Sequence, residues 1–145
     1  MIVELAKEYP GKKIICLPKK NPKEVICEIA SAPDGSWSLA VVLIIRSVPH
    51  YHEKTKEVYH TLKGAVRVMN AAGTKRGTVL TQWQEGAVKG IEWESSAPMV
   101  LWPSLVHCAW AIGRYPAKVL VMATPAWSKL DHHLRSDIRK PFILD

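Results

Sequence analysis

The stretch PHYHEKTKEVYHTLKGAV, Pro49 to Val66, decides how this chain is read. In an extended strand residues i and i+2 point to the same side, so His50 and His52 project together while Tyr51 faces away. Glu53-Lys54-Thr55-Lys56 is a strongly polar run suited to a hairpin loop, after which the chain returns antiparallel with Glu57 opening the second strand. With Glu57 facing inward, Tyr59 and Thr61 share its face, and Gly64 ends the strand. Two other readings stand beside this one. A helix over 53–63 would use the four-residue recurrence of Val58, Leu62 and Val66, but Gly64 and the β-branched, aromatic content of EVYHTL favour a strand. An exposed hairpin whose charges are only solvated would explain the two histidines alone, though not the spacing of the whole stretch.

Outward from this stretch, the apolar segments are short and separated by turn signals: KKIICLP, EVICEIA, SLAVVLIIRSV, AVRVM, GTVLTQW, MVLW, VHCAWAI and AKVLVMA. That rhythm is all-β and implies a sandwich or small barrel. The breaks hold Ala32-Pro33-Asp34-Gly35, Ala72-Gly73, Gly113 and Tyr115-Pro116. Near the end, Ser128 followed by Asp131 fits a helix-capping signature, and LDHHLRSDIRK is expected to form a short helix that Pro141 stops.

The 145 residues, 48% of them hydrophobic, suit one domain with one core. Lysines and arginines number 20 against 13 acidic residues, a net +7, but no recognition element accompanies the charge, so a nucleic-acid partner is not expected. The excess is compatible with solvated surface or with an anionic small molecule. Trp37, Trp83, Trp93, Trp102, Trp110 and Trp127 lie in apolar stretches, as core residues do. Cys16, Cys27 and Cys108 are too few and too scattered for a disulfide framework or a zinc ribbon, which fits a reducing cytoplasm. The longest apolar run, Leu39 to Ile45, is too short to cross a bilayer, so no membrane partner is expected either.

The spacing of His50, His52, Glu57 and Gly64 resembles the first motif of the cupin superfamily: two histidines around one residue, four residues to the glutamate, six more to the glycine. The glycine that often stands six residues before the first histidine is replaced by Ile44. A second motif is present in part in APMVLWPSLVHCAWA, Ala97 to Ala111, where Pro103 and His107 fit while Ala97 and Ser104 replace glycines and Ala111 replaces an asparagine. The resemblance covers Ser36 to Trp127. It implies a double-stranded β-helix, or jelly-roll barrel, within a single domain over 1–145. Residues 1–35 would form N-terminal strands or an arm, 36–127 the barrel, and 128–145 a C-terminal helix and tail.

The resemblance further implies that His50, His52, Glu57 and His107 bind one divalent transition metal. Three imidazoles and a carboxylate suit Fe, Mn or Ni, with Zn, Co or Cu as alternatives. Three functions follow: an oxygenase acting on a small, electron-rich molecule, a sugar or sugar-phosphate isomerase or epimerase, and a non-catalytic protein that holds an organic anion. Tyr59 and Arg46 are the candidate catalytic partners, Arg46 because it shares strand parity with His50 and His52; Lys63 and His60 are further polar candidates. His60, His132 and His133 are expected at the surface, and Trp102 either walls the pocket or packs ordinarily. Cys108 should turn away from the metal, being adjacent to His107. A homodimer is expected, with Val25 to Ile29 or the tail Pro141 to Asp145 as the exchanged or docked segment.

Overall fold

Alternating apolar residues in β-branched runs build two antiparallel sheets that face one another (computed structural model; residues 1–71, 82–87 and 98–135 are described). After a helix α1 (Ile2–Glu8) come β1 (Ile14–Leu17), β2 (Glu24–Ser31), β3 (Ser38–Ile44) and the two-residue β4 (His50–Tyr51). Then follow β5 (Lys56–Lys63), β6 (Ala65–Ala71), β7 (Gln82–Ala87), β8 (Met99–Leu101), β9 (Val106–Ala111) and β10 (Ala117–Thr124). A 3-10 turn (Lys129–Asp131) leads into β11 (His133–Leu134). One sheet runs β1-β2-β3-β10-β5-β8 and the other β11-β4-β9-β6-β7.

The side chains between the sheets make the main core. Val42 and Ile44 of β3, Tyr59 of β5, Val66 and Val68 of β6, Leu101 of β8 and Val119 of β10 meet there, all buried. The opposite parity of the first sheet is also covered. Val25, Cys27, Val41 and Leu43 pack under α1 through the fully buried Leu5, so β2 and β3 carry apolar residues on both faces. Lys118 of β10 anchors the helix with ion pairs to Glu8 at 2.6 Å and Glu4 at 3.5 Å.

Glycine is needed where the chain passes from one sheet to the other. Gly64, between β5 and β6, has φ of +76° and brings the chain against Ala117, whose Cα would lie 3.5 Å from an added Cβ. A side chain there would be strained by the backbone angle itself.

Four expectations change in the structure. The histidine strand and the glutamate strand do not form a hairpin: β4 pairs with β9 and β11, whereas β5 pairs with β10 and β8. The polar loop 53–55 therefore turns a corner between sheets, which a local reading of loop length cannot distinguish from a hairpin. The C-terminal helix is, over its described part, only the 3-10 turn followed by β11, because residues 133–134 find ladder partners in β4. The N-terminal arm contains α1, whose apolar face was legible only once β2 and β3 offered it a surface. Val25 to Ile29 lies in β2, flanked by β1 and β3 and roofed by α1, so this segment is no open edge. The turn Ala72-Gly73, much of GTVLTQW, and the tail Pro141 to Asp145 lie outside the described residues.

Candidate metal centre

Three structural elements bring four donor side chains to one point. His50 on β4 is the direct register partner of His107 on β9, so their imidazoles leave neighbouring strands toward the same side. His52 follows two residues after His50 and lies 5.2 Å from it, ring centre to ring centre. Glu57, near the start of β5, enters from the facing sheet. One donor atom from each of His50, His52, Glu57 and His107 lies within 4.8 Å of all the others, and all four residues are buried.

The hydrogen bonds fix the state of each imidazole. Nδ1 of His50 bonds the carbonyl of Val48 at 2.7 Å, Nδ1 of His52 that of Asp131 at 2.9 Å, and Nδ1 of His107 that of Leu105 at 3.0 Å. A carbonyl only accepts, so each Nδ1 carries a proton and Nε2 is left as the atom available to the cluster. Nε2 of His52 and of His107 are buried without a hydrogen-bond partner, 3.5 and 3.4 Å from the two Glu57 oxygens. Imidazole nitrogens and a carboxylate thus converge in the protein interior, an arrangement that a cation among them would stabilise.

A proton and a metal cation are the two candidates for that charge. Burial, with the neighbouring His107, pushes His50 well below its ordinary 6.5. Burial also lowers His52, against the pull of Glu57. Burial opposes the charge of Glu57, but the neighbouring His107 and His52 outweigh it and hold the carboxyl below 4.5. The cluster therefore keeps its anion and resists protonation of two of its rings, which favours a cation. Backbone carbonyls that orient the ligating rings from behind are what metal-binding histidines ordinarily have. The nitrogen and oxygen donors fit a divalent first-row transition metal.

Tyr59, two residues along β5, donates its hydroxyl to Glu57 Oε2 at 3.2 Å. Burial, then the charge of Glu57, raises its pKa well above 10, so the proton stays on the donor. Asp131 braces the corner loop: its carboxylate accepts from the amides of Glu53, Lys54 and Thr55 and from the Thr55 hydroxyl at 2.8–3.3 Å.

Other candidates fall elsewhere. Arg46 is exposed and lines neither of the two cavities beside the cluster. Its strand parity with His50 does not carry through, because Ser47 is tied to Ala109 on β9 and Pro49 interrupts the extended run. His60 is exposed, and His133 stacks on Tyr51 at 4.9 Å. Trp102 is 58% exposed, with the Lys56 ammonium 5.4 Å from its ring centre. Cys108 is buried, and burial pushes its thiol up to about 11, which leaves it unsuited to be a thiolate ligand.

Two residues went unrecognised in the sequence. His132, expected on an exposed helix, packs 4.2 Å from the His50 ring and 5.7 Å from Trp127, its Nε2 buried and unpartnered. Glu24 is buried at the start of β2, on the inward parity with Ile26 and Glu28. The alternation in EVICEIA was signal enough to place Glu24 opposite the apolar face.

Comparison of the structure with solved proteins decides the fold. KdgF from Halomonas sp. superposes with a TM-score of 0.58 over 81% of this chain and 90% of its own, at 14% identity. A Streptomyces protein, PAC13, solved with uridine, gives 0.58 over 86% and 85%, at 12% identity. These are cupins. The chain has the cupin fold. An Fe(II) form of HppE gives a TM-score of 0.54 at 12% identity, with 79% of this chain matching 56% of that one. Neither a protein-family profile nor a curated protein sequence matches the chain. Within this fold the first motif supplies three of the four donors and the partial second motif still delivers His107 to the cluster.

Proposed function

We propose that this cupin is a metal-dependent enzyme of oxygenase type acting on a small organic molecule. The observation that carries the reading is the meeting of Nδ1-protonated, buried imidazoles and the Glu57 carboxylate at one point. His50, His52, Glu57 and His107 would hold the metal, and the Fe(II) form of the structurally similar HppE supports iron as the first ion to test. When bound, iron would supply Lewis acidity and redox chemistry toward an electron-rich substrate and dioxygen.

The chain's own groups have definite tasks in this reading. Tyr59 keeps Glu57 oriented by donating to its Oε2. Val42, Val121 and Trp127 line the inner cavity and give the cluster an apolar wall. The excess of basic residues, with Lys19 and Lys129 among those lining the outer cavity, suits a substrate of anionic character.

Anaerobic loading with Fe(II), followed by oxygen-uptake measurements over catechols, thiols and keto acids, tests the proposal. Uptake that depends on metal and is lost in Glu57→Ala supports it. Carbonyl migration without oxygen uptake would replace it with isomerase chemistry, and unaltered recovery of a tightly bound molecule would replace it with a binding role.

A further inference from the structure

Two cavities adjoin the cluster. The inner one, about 40 Å³, touches His50 and Glu57 and has room for only a few water-sized groups. The outer one, about 290 Å³, is walled by Ile15, Leu17, Pro18, Val48 and Leu134. Glu24, Trp127 and His132 line both and so stand between the two spaces.

Of these three, Glu24 has no role in the centre described above. Its backbone is fixed on both sides, opposite Leu17 of β1 and Ile44 of β3, and its side chain is buried between the two cavities. We propose that Glu24 is the substrate-facing hydrogen-bond donor of this site, reading an oxygen atom of a molecule whose apolar body fills the outer cavity while its head reaches the metal cluster. The proposal rests on the metal-dependent reading and adds the shape and chemistry of the substrate: an elongated organic molecule, apolar along its length, with an oxygen-bearing chelating head.

A carboxyl donates only when protonated, and its surroundings keep it so. Glu28 on its own strand, Glu57 and Tyr59 on β5, His50 on β4 and His132 after the 3-10 turn face the inner cavity. The outer cavity adds Cys16, Lys19 and Lys129. Burial, then the charge of Glu57, pushes Glu24 up to about 8. A divalent cation at the cluster would more than offset the charge of Glu57, so burial, the larger contribution, is what must hold the proton on Glu24.

Dicyclohexylcarbodiimide, an apolar reagent that attacks protonated carboxyls, tests both access and protonation on the metal-loaded protein. Peptide mapping should place the adduct on Glu24 at neutral pH, with labelling declining as the pH is raised and abolished in Glu24→Gln. The chelating probe 4-nitrocatechol, at concentrations that saturate its metal-dependent colour change, should protect Glu24. Glu24→Leu should weaken that probe about fivefold, the value of one hydrogen bond, with Glu24→Gln, still a donor, close to wild type and metal content unchanged in both. An unlabelled Glu24, labelling that saturating nitrocatechol leaves intact, or equal affinity in Glu24→Leu would overturn the proposal while leaving the metal reading in place. Loss of the colour change in wild type, with Glu24 still labelled, would instead count against the metal reading.

Discussion

The carbonyl oxygen of Asp131 holds Nδ1 of His52 at 2.9 Å, across 79 positions of sequence. The side chain of the same residue gathers the amides of Glu53, Lys54 and Thr55, so one aspartate orients a ligand ring and fixes the loop that joins the ligand-bearing strands. The 3-10 turn is thus a strap across the metal corner.

Replacing Asp131 by alanine should cost about 2 kcal/mol of stability, the order expected for hydrogen bonds to a charged group, and should weaken metal binding only indirectly, by loosening the 53–55 loop, since the carbonyl that holds His52 remains. Burial raises the carboxyl's pKa, but the bonds from Thr55, Glu53 and Lys54 outweigh it, leaving the folded value below the ordinary 3.8. The unfolded state therefore binds the proton more readily, and this contribution is present above pH 4 or so and lost as pH falls through the folded value. Denaturant midpoints for wild type and Asp131→Ala at neutral and acid pH check this: the gap should close in acid.

The metal-free protein should lose stability as pH falls below about 6.5. His50, His52 and His132 all have folded pKa values below that ordinary value, His132 at about 4, chiefly through burial. Between the folded and unfolded values the unfolded chain holds more protons, so acid favours unfolding. Thermal melts of the chelator-treated protein from pH 8 to pH 5 should show a fall in midpoint that metal suppresses; a flat profile would contradict the buried, neutral state of these rings.

Tyr59→Phe should retain the metal but bind it more weakly, by about 1 kcal/mol for one hydrogen bond lost to Glu57. Competition against a metallochromic chelator measures this directly. Loss of metal altogether would make Tyr59 more than a support for the carboxylate.

Ser104 has φ of +67° and donates its amide to His52 O at 2.6 Å. A non-glycine residue in that conformation stores roughly 1 kcal/mol, so Ser104→Gly should stabilise the fold by that order with metal content unaffected. A destabilised variant would mean that the serine hydroxyl matters more than the backbone.

Much of this was legible in the sequence because the first motif is local. The spacing from His50 to Gly64 carries three donors, the end of β5 and the turn into β6 within fifteen residues. The rest depended on distant partners. Whether β4 and β5 pair with each other or lie in opposite sheets is decided by β9 and β10, which a loop of suitable length does not reveal. His132 was placed at the surface because DHHL reads as a helical turn, whereas β4 offers His133 and Leu134 a ladder and so swings His132 over His50. Arg46 failed for the converse reason, since parity counts only along an unbroken strand.

The central claim is that His50, His52, Glu57 and His107 hold one metal ion, and elemental analysis of protein expressed in metal-supplemented medium tests it most directly. Wild type and His60→Ala should carry close to one divalent metal per chain, and His50→Ala, Glu57→Ala and His107→Ala should each lose most of it, since each removes one of four donors. Metal retained at the wild-type level in both His50→Ala and Glu57→Ala would contradict the account.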